Sequence, residues 1–150
     1  MARSEKSGLW LGILSSLWGR WSKARRSPGD PRHEMGASGE ALAGRYLRLR
    51  GWRILARNWR APGGEIDLIV KRGRTVAFVE VRSRKAGSAV SPEDSVTAEK
   101  QSRISRAARY YLSQQKSDDR TCFRFDVITV EFPESGRPRV THFPDAFKER

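Results

Sequence analysis

The chain has 150 residues, enough for one domain with a modest core, and carries 30 Lys and Arg against 17 Asp and Glu, a net charge of +13. That excess, with a pI of about 11.0, makes a polyanion the natural partner, either nucleic acid or an anionic membrane surface. The single cysteine, Cys122, excludes an internal disulfide and a cysteine-based zinc site, and it reads as a buried structural thiol in a reducing, cytoplasmic setting.

Residues 1–33 differ in kind from the rest, with 7 basic and 2 acidic side chains against 23 and 15 in the remainder. Leu9-Trp10-Leu11-Gly12-Ile13-Leu14, Leu17-Trp18 and Trp21 form an apolar patch, followed by Lys23, Arg25, Arg26 and a Pro/Gly-rich break. The patch is too short to span a bilayer, and a signal peptide is a weaker alternative, because Glu5 dilutes the positive start and Arg, Trp and Lys follow the apolar run in place of a small-residue cleavage site. A membrane-surface segment and a base-stacking arm are alternatives. The preferred reading is a poorly ordered extension, 1–33, ahead of a domain at 34–150.

Glu34 to Arg50 reads as the first helix, with Ala41, Leu42, Tyr46, Leu47 and Leu49 as its apolar stripe, Ser38 as an N-cap and Gly51 as its stop. Glu40 lies among Gly36, Ala37, Ala43 and Gly44, a surface bare enough for another backbone to approach. The commoner outcome for such a residue is an exposed acid favoured by the helix dipole. Trp52 to Trp59 follows as a strand, and Ala61-Pro62-Gly63-Gly64 as a turn.

Glu65 to Val70 and Val76 to Arg82 alternate with period two and read as a β-hairpin around Gly73-Arg74. Arg72 then faces Thr75, Ile69 faces Phe78, Asp67 faces Glu80 and Glu65 faces Arg82, all but the first pair on one face. Ile66, Leu68, Val70, Ala77, Val79 and Val81 make the other face wholly apolar. Two carboxylates with Cβ atoms about 5 Å apart destabilise a sheet unless their repulsion is offset. A divalent cation, a shared proton or a nearby cation such as Arg82 would do so. The alternative is a solvated face on which Glu80 pairs with Arg82 and Asp67 with Lys71.

Beyond Arg82 the small, basic loop Ser83-Arg84-Lys85-Ala86-Gly87-Ser88 and then Ser91-Pro92-Glu93-Asp94 suit a phosphate backbone or an ordinary surface loop. Thr97 caps a second helix running to about Gln115, with Ile104, Ala107, Ala108, Tyr111 and Leu112 buried. Lys100, Arg103, Arg106 and Arg109 step along another face, either as a solvated stripe or as a track for phosphates. Ser117-Asp118-Asp119 ends it. Phe123 to Val130 is a fourth strand and Arg139 to Phe143 a short fifth. His33 and His142 have no metal-ligand spacing and receive no role. The order α-β-β-β-α-β implies an α/β fold, a mixed sheet flanked by helices.

The helical Glu40, then Gly64-Glu65-Ile66-Asp67-Leu68-Ile69, then Phe78-Val79-Glu80-Val81-Arg82-Ser83-Arg84 together resemble the YraN-like family of predicted endonucleases. That family is similar to archaeal Holliday-junction resolvases and to the PD-(D/E)xK nucleases. The resemblance runs from about Met35 through the fourth strand. It implies a restriction-endonuclease-like core that binds branched or processed DNA and hydrolyses phosphodiester bonds with Mg²⁺ or Mn²⁺ and no small-molecule cofactor. Asp67, Glu80 and the Val81 carbonyl would hold the metal, with Glu40 completing the acidic cluster. Arg84, Lys85, Lys100, Arg103 and Arg106 would contact the nucleic acid. A homodimer is compatible with the resemblance, whereas a membrane role is not implied. This chain departs from the superfamily pattern at Arg82, where a lysine is usual. Arginine keeps the charge and can clamp a phosphate, but it does not serve as a proton donor or acceptor. Three outcomes follow: Arg82 suffices, Lys85 or Lys100 substitutes, or the protein binds DNA without cutting.

Overall fold

The computed structural model describes residues 31–87, 96–116 and 120–149. The extension up to residue 30, Ser88, Ser91-Pro92-Glu93-Asp94 and Ser117-Asp118-Asp119 fall outside the described residues.

Helix α1 spans Pro31–Leu49, starting ahead of Glu34. Proline suits the first helical position because its φ is already helical and its missing N–H would have had no partner there. Ser38 is therefore an exposed interior residue and not the N-cap. The helix ends as expected at Gly51, with φ 80°, whose N–H donates to the Arg48 carbonyl at 3.0 Å while that of Trp52 reaches Leu47 at 3.1 Å. Ala43 and Leu47 are its buried apolar side chains, Leu42 and Tyr46 are half-buried, and Ala41 and Leu49 are exposed. Leu49 lies about 200° around the helix from Leu47, which turns it away from the sheet.

Strands β1 (Arg53–Ala61), β2 (Gly64–Arg72) and β3 (Thr75–Lys85) follow by tight turns. Helix α2 (Ala98–Ser113) then crosses to β4 (Cys122–Phe132), and β5 (Arg139–Phe147) returns beside it. The five strands lie in the order β1-β2-β3-β4-β5, parallel between β3 and β4 and antiparallel elsewhere. A parallel pair needs a long crossover, which α2 supplies. Strand β5 is longer than expected: Phe147 closes the edge by stacking on Phe125 with ring centroids 5.0 Å apart.

Central strands covered on both faces read as continuous apolar runs, and Val76–Val79 and Val127–Ile128 are buried accordingly. On one face α1 packs Ala43 and Leu47 over Leu68, Val70, Ala77, Val79, Ile128 and Val130. On the other α2 packs Ile104, Ala107, Ala108 and Tyr111 over Ile69, Phe78, Phe125 and Val127. The result is an α/β fold of the restriction-endonuclease-like kind.

The hairpin register is as expected from Arg72↔Thr75 through Leu68↔Val79, with Gly73 at φ 59° in the turn. There the ladder stops. On the other side of β2 the pairing passes from Arg57↔Leu68 to Trp59↔Ile66, with Asn58 at φ 47° opposite Asp67. This irregularity breaks the alternation, so Ile66 joins Ile69 and Phe78 under α2 and not Leu68 on the other face. Cys122 is exposed and not a buried thiol: it begins β4 opposite Thr75, ahead of the buried stretch.

Candidate active site

Where the β2–β3 ladder ends, the two strands leave the Val81 N–H without a backbone partner from β2, and the Asp67 side chain takes it, Oδ2 accepting at 2.7 Å. Glu80 lies beside it, in the buried middle of β3 and only 2% exposed. The pair is thus brought together by the splay of two strands and not by direct cross-strand pairing. Glu65, expected opposite Arg82, lies beyond the ladder, exposed and 3.9 Å from Arg60.

Helix α2 delivers a third group. Thr97 caps it as expected, its Oγ1 accepting the Lys100 N–H at 3.3 Å, and so fixes Lys100 in the first turn. One turn later the helix backbone rests on the start of β2: a Cβ on Gly64 would lie 2.1 Å from the Arg103 carbonyl oxygen. Held at both points, Lys100 places Nζ 2.7 Å from Glu80 Oε1. Arg82 Nη1 stands 3.5 Å from the same oxygen.

The carboxylates therefore have two of the three offsets the sequence left open. Glu80 is neutralised by neighbouring cations, chiefly Lys100 and then Arg82. For Asp67, burial first, the Glu80 charge second and the Glu40 charge weakly push the pKa up to about 8, against the Val81 hydrogen bond and Lys100, and so favour the protonated carboxyl. Lys71 is not its partner: it stands opposite Arg53 in the β1–β2 register, and no ion pair between Lys71 and Asp67 occurs among the described residues.

A divalent cation suits this donor set. Two hard carboxylates, one held protonated by burial and by the other's charge, are a site whose electrostatic cost a bound cation would relieve. The fit extends to Asp67 and Glu80. Glu40, half-buried on α1, acts on Asp67 through its charge, but no group of three or more His, Cys, Asp or Glu side chains that could hold a metal occurs among the described residues.

The expected nucleic-acid contacts divide. Arg84 is tied to Glu131 on β4, and Arg103 to Glu99 within α2. Lys85 is exposed at the end of β3, and Arg106 is exposed beside Gly63 in the β1–β2 turn. Lys100 belongs to the carboxylates, a role that grouping it with Arg103 and Arg106 hides. The signal was present at another spacing, since Lys100, Ile104, Ala107 and Tyr111 repeat at i, i+4, i+7 and i+11, one continuous face.

Sequence reasoning also missed a second polar cluster. Asp126, with no exposed surface, accepts from Arg124 Nη2 at 3.0 Å and from the Asp145 N–H at 2.9 Å, and bonds His142 Nε2 at 2.7 Å. These partners tie β4 to β5 where their register shifts. Its signal was an acid inside the apolar run Phe125–Val130.

A mixed sheet between two helices, with an acid pair at a strand break and a lysine delivered by the crossover helix, defines an α/β protein of the restriction-endonuclease-like class. The model for "Uncharacterised protein family UPF0102" matches residues 39–130, and the chain belongs to that family, the YraN-like one its motifs resembled. It is 44% identical to a UPF0102 protein of Geobacter metallireducens over 76% of this chain and 92% of that one. To those of Chlorobium limicola and Nocardia farcinica it is 42% identical, over 80% and 75% of this chain and 95% and 88% of theirs.

Proposed function

We propose that the protein is a DNA-binding endonuclease of the cytoplasm that hydrolyses phosphodiester bonds in branched or processed DNA with Mg²⁺ or Mn²⁺. The observation that carries this reading is Lys100 Nζ at 2.7 Å from the buried Glu80, beside Asp67. It meets the objection raised by Arg82, because an ammonium, unlike a guanidinium, can exchange a proton. Lys100 is then the substitute for the motif lysine.

Asp67, Glu80 and the Val81 carbonyl would hold the cation. A divalent cation held there would supply Lewis-acid stabilisation of the phosphate charge and would acidify a water as the nucleophile. The chain's residues do the rest. Asp67 would give its proton to solvent in order to serve as a ligand. Lys100 keeps Glu80 oriented and balances charge as the P–O bond to water forms and that to the leaving oxygen breaks. Arg82, 37% exposed, offers its fork to a phosphate oxygen, and Lys85 and Arg106 hold the backbone on either side. Glu40 shapes the field at Asp67. The second reading, a DNA-binding relative that does not cut, is favoured by the presence of two carboxylates where a three-ligand group would be expected.

The test is cleavage of labelled four-way-junction, flap, single-stranded and duplex DNA with Mg²⁺ or Mn²⁺, by wild type, Asp67→Ala, Glu80→Ala and Lys100→Ala. Product from wild type alone supports the nuclease. No product, with a salt-sensitive mobility shift retained by all four proteins, leaves the binding module.

A further inference from the structure

From Ala41 to Gly64 the chain contains six arginines, no lysine and no acid. This stretch is the second half of α1, which covers the face of the sheet opposite α2, and all of the edge strand β1. Two of its arginines are exposed in ways that leave them engaged or paired: Arg50 lies over the Tyr46 ring at 3.6 Å, and Arg60 meets Glu65. Arg48, Arg53 and Arg57 take part in no ion pair among the described residues, and all three are exposed.

Their placement forms a track. Arg57 lies across α1 at Gly44, where an added Cβ would come within 2.5 Å of its guanidinium. Gly44 is one turn from Glu40, and Arg48 is one turn further. Arg48 and Arg53 then line an open groove of about 450 Å³ with Gly51, Trp52 and Ile54. Glu40 to Arg48 spans about 12 Å along the helix, the axial rise of three to four base pairs. A cation at a helix C-terminus is favoured by the dipole, which accounts for Arg48 but not for Arg53 and Arg57 on a strand. Guanidinium groups without lysines suit phosphate oxygens, which they bind in a fork.

We infer that Arg57, Arg53 and Arg48 form a second site for a nucleic-acid backbone, leading away from the carboxylates along the α1–β1 edge. It rests on the DNA-binding reading above and deepens it. With α2 offering Arg106 on the opposite face, backbones leave the site on two sides of the sheet, the arrangement that suits DNA whose arms diverge.

The experiment is equilibrium binding of fluorescein-labelled four-way-junction DNA in EDTA across a salt series. The proteins are wild type, the triple variant Arg48→Gln/Arg53→Gln/Arg57→Gln, its three single variants, and a control of equal charge, Arg74→Gln/Arg137→Gln/Arg139→Gln. The triple variant should lower the salt slope by about 2–3 and each single by about 1, with the control slope near that of wild type. The three Arg→Lys changes together should restore the slope, which separates backbone contact from a folding defect; if the triple variant fails to fold, the singles decide. A triple variant with the wild-type slope, or a control that loses as much, overturns the track and leaves DNA binding standing. Wild type that ignores the junction but binds vesicles with 30% anionic lipid overturns both.

Discussion

Lys100 Nζ and Glu80 Oε1, 20 residues apart in the chain, meet at 2.7 Å where the crossover helix passes over the centre of the sheet. Glu80 is 2% exposed, and Lys100 is the nearer of the two cations beside it. Lys100→Met leaves the Glu80 carboxylate with Arg82 alone at 3.5 Å. Breaking a fully buried pair costs about 3–5 kcal/mol; Lys100 is 36% exposed, and the expected loss is about 1–3 kcal/mol. Urea unfolding at pH 7 measures it. Glu80→Gln in the Lys100→Met background should recover part of the loss; strictly additive effects would show that the two are not coupled.

The proton on Asp67 makes stability fall with pH. Its folded pKa, about 8, exceeds the ordinary 3.8, so between those values the folded chain holds a proton that the unfolded chain releases. The folded state therefore loses ground as pH rises through this window, and the full cost is felt above about pH 8. Asp67→Asn should flatten that slope and be the more stable protein at pH 9, as read by thermal melting. An Asn variant that follows the wild-type profile from pH 5 to 9 would place the titration elsewhere.

Mg²⁺ and this proton compete for one carboxylate if the proposed site is correct. The rise in melting temperature on adding 10 mM Mg²⁺ should then be larger at pH 8.5 than at pH 6, because less of the binding free energy goes into displacing the proton. The shift should vanish in Asp67→Asn. An equal shift at both pH values, or one kept by the variant, argues for a cation bound elsewhere.

Asp126 titrates in the opposite sense. Burial alone would raise its pKa, but hydrogen bonds from His142, the Asp145 N–H and Arg124 outweigh it and hold the group below the ordinary carboxylate value. Its contribution is present above the unfolded pKa and disappears as pH falls below about 4. Asp126→Asn, which cannot serve all three donors, should cost about 2–4 kcal/mol at pH 7 and lessen the acid sensitivity. Chemical denaturation between pH 3 and 7 distinguishes the two profiles.

Gly64 tests whether α2 must sit directly on β2. A Cβ there meets the Arg103 carbonyl, a backbone atom that cannot rotate away, so Gly64→Ala should displace the helix and cost about 1–3 kcal/mol. Because Lys100 is one turn from the contact, the cleavage proposed above should fall by more than the loss of folded protein accounts for. Gly73→Ala, in the open β2–β3 turn at φ 59°, should cost stability through its backbone and spare the site.

Much of the fold was legible because it is local. Period-two alternation and Gly73 placed five facing pairs of the β2–β3 hairpin, and Thr97 and Gly51 marked where one helix begins and the other ends. Errors arose where a remote partner decides. Ser38 looked like a cap until Pro31 proved to start the helix, and Ile66 changed faces where Asn58 and Asp67 leave the ladder. Cys122 seemed buried because its neighbours are apolar.

By itself the sequence determined the hairpin register from Arg72↔Thr75 through Leu68↔Val79, which leaves Asp67 and Glu80 at the next positions of adjoining strands, since a hairpin's register follows from its turn and its alternation. It also determined the excess of positive charge, which needs no fold. The tertiary structure alone decided which cation meets Glu80, that β2 and β3 part so that Asp67 holds the Val81 amide, and that His142 and Arg124 enclose Asp126. These contacts depend on how a helix and an edge strand pack across the sheet, and packing is settled by burying whole faces at once. Residue spacing within one element carries no record of the element that will lie against it.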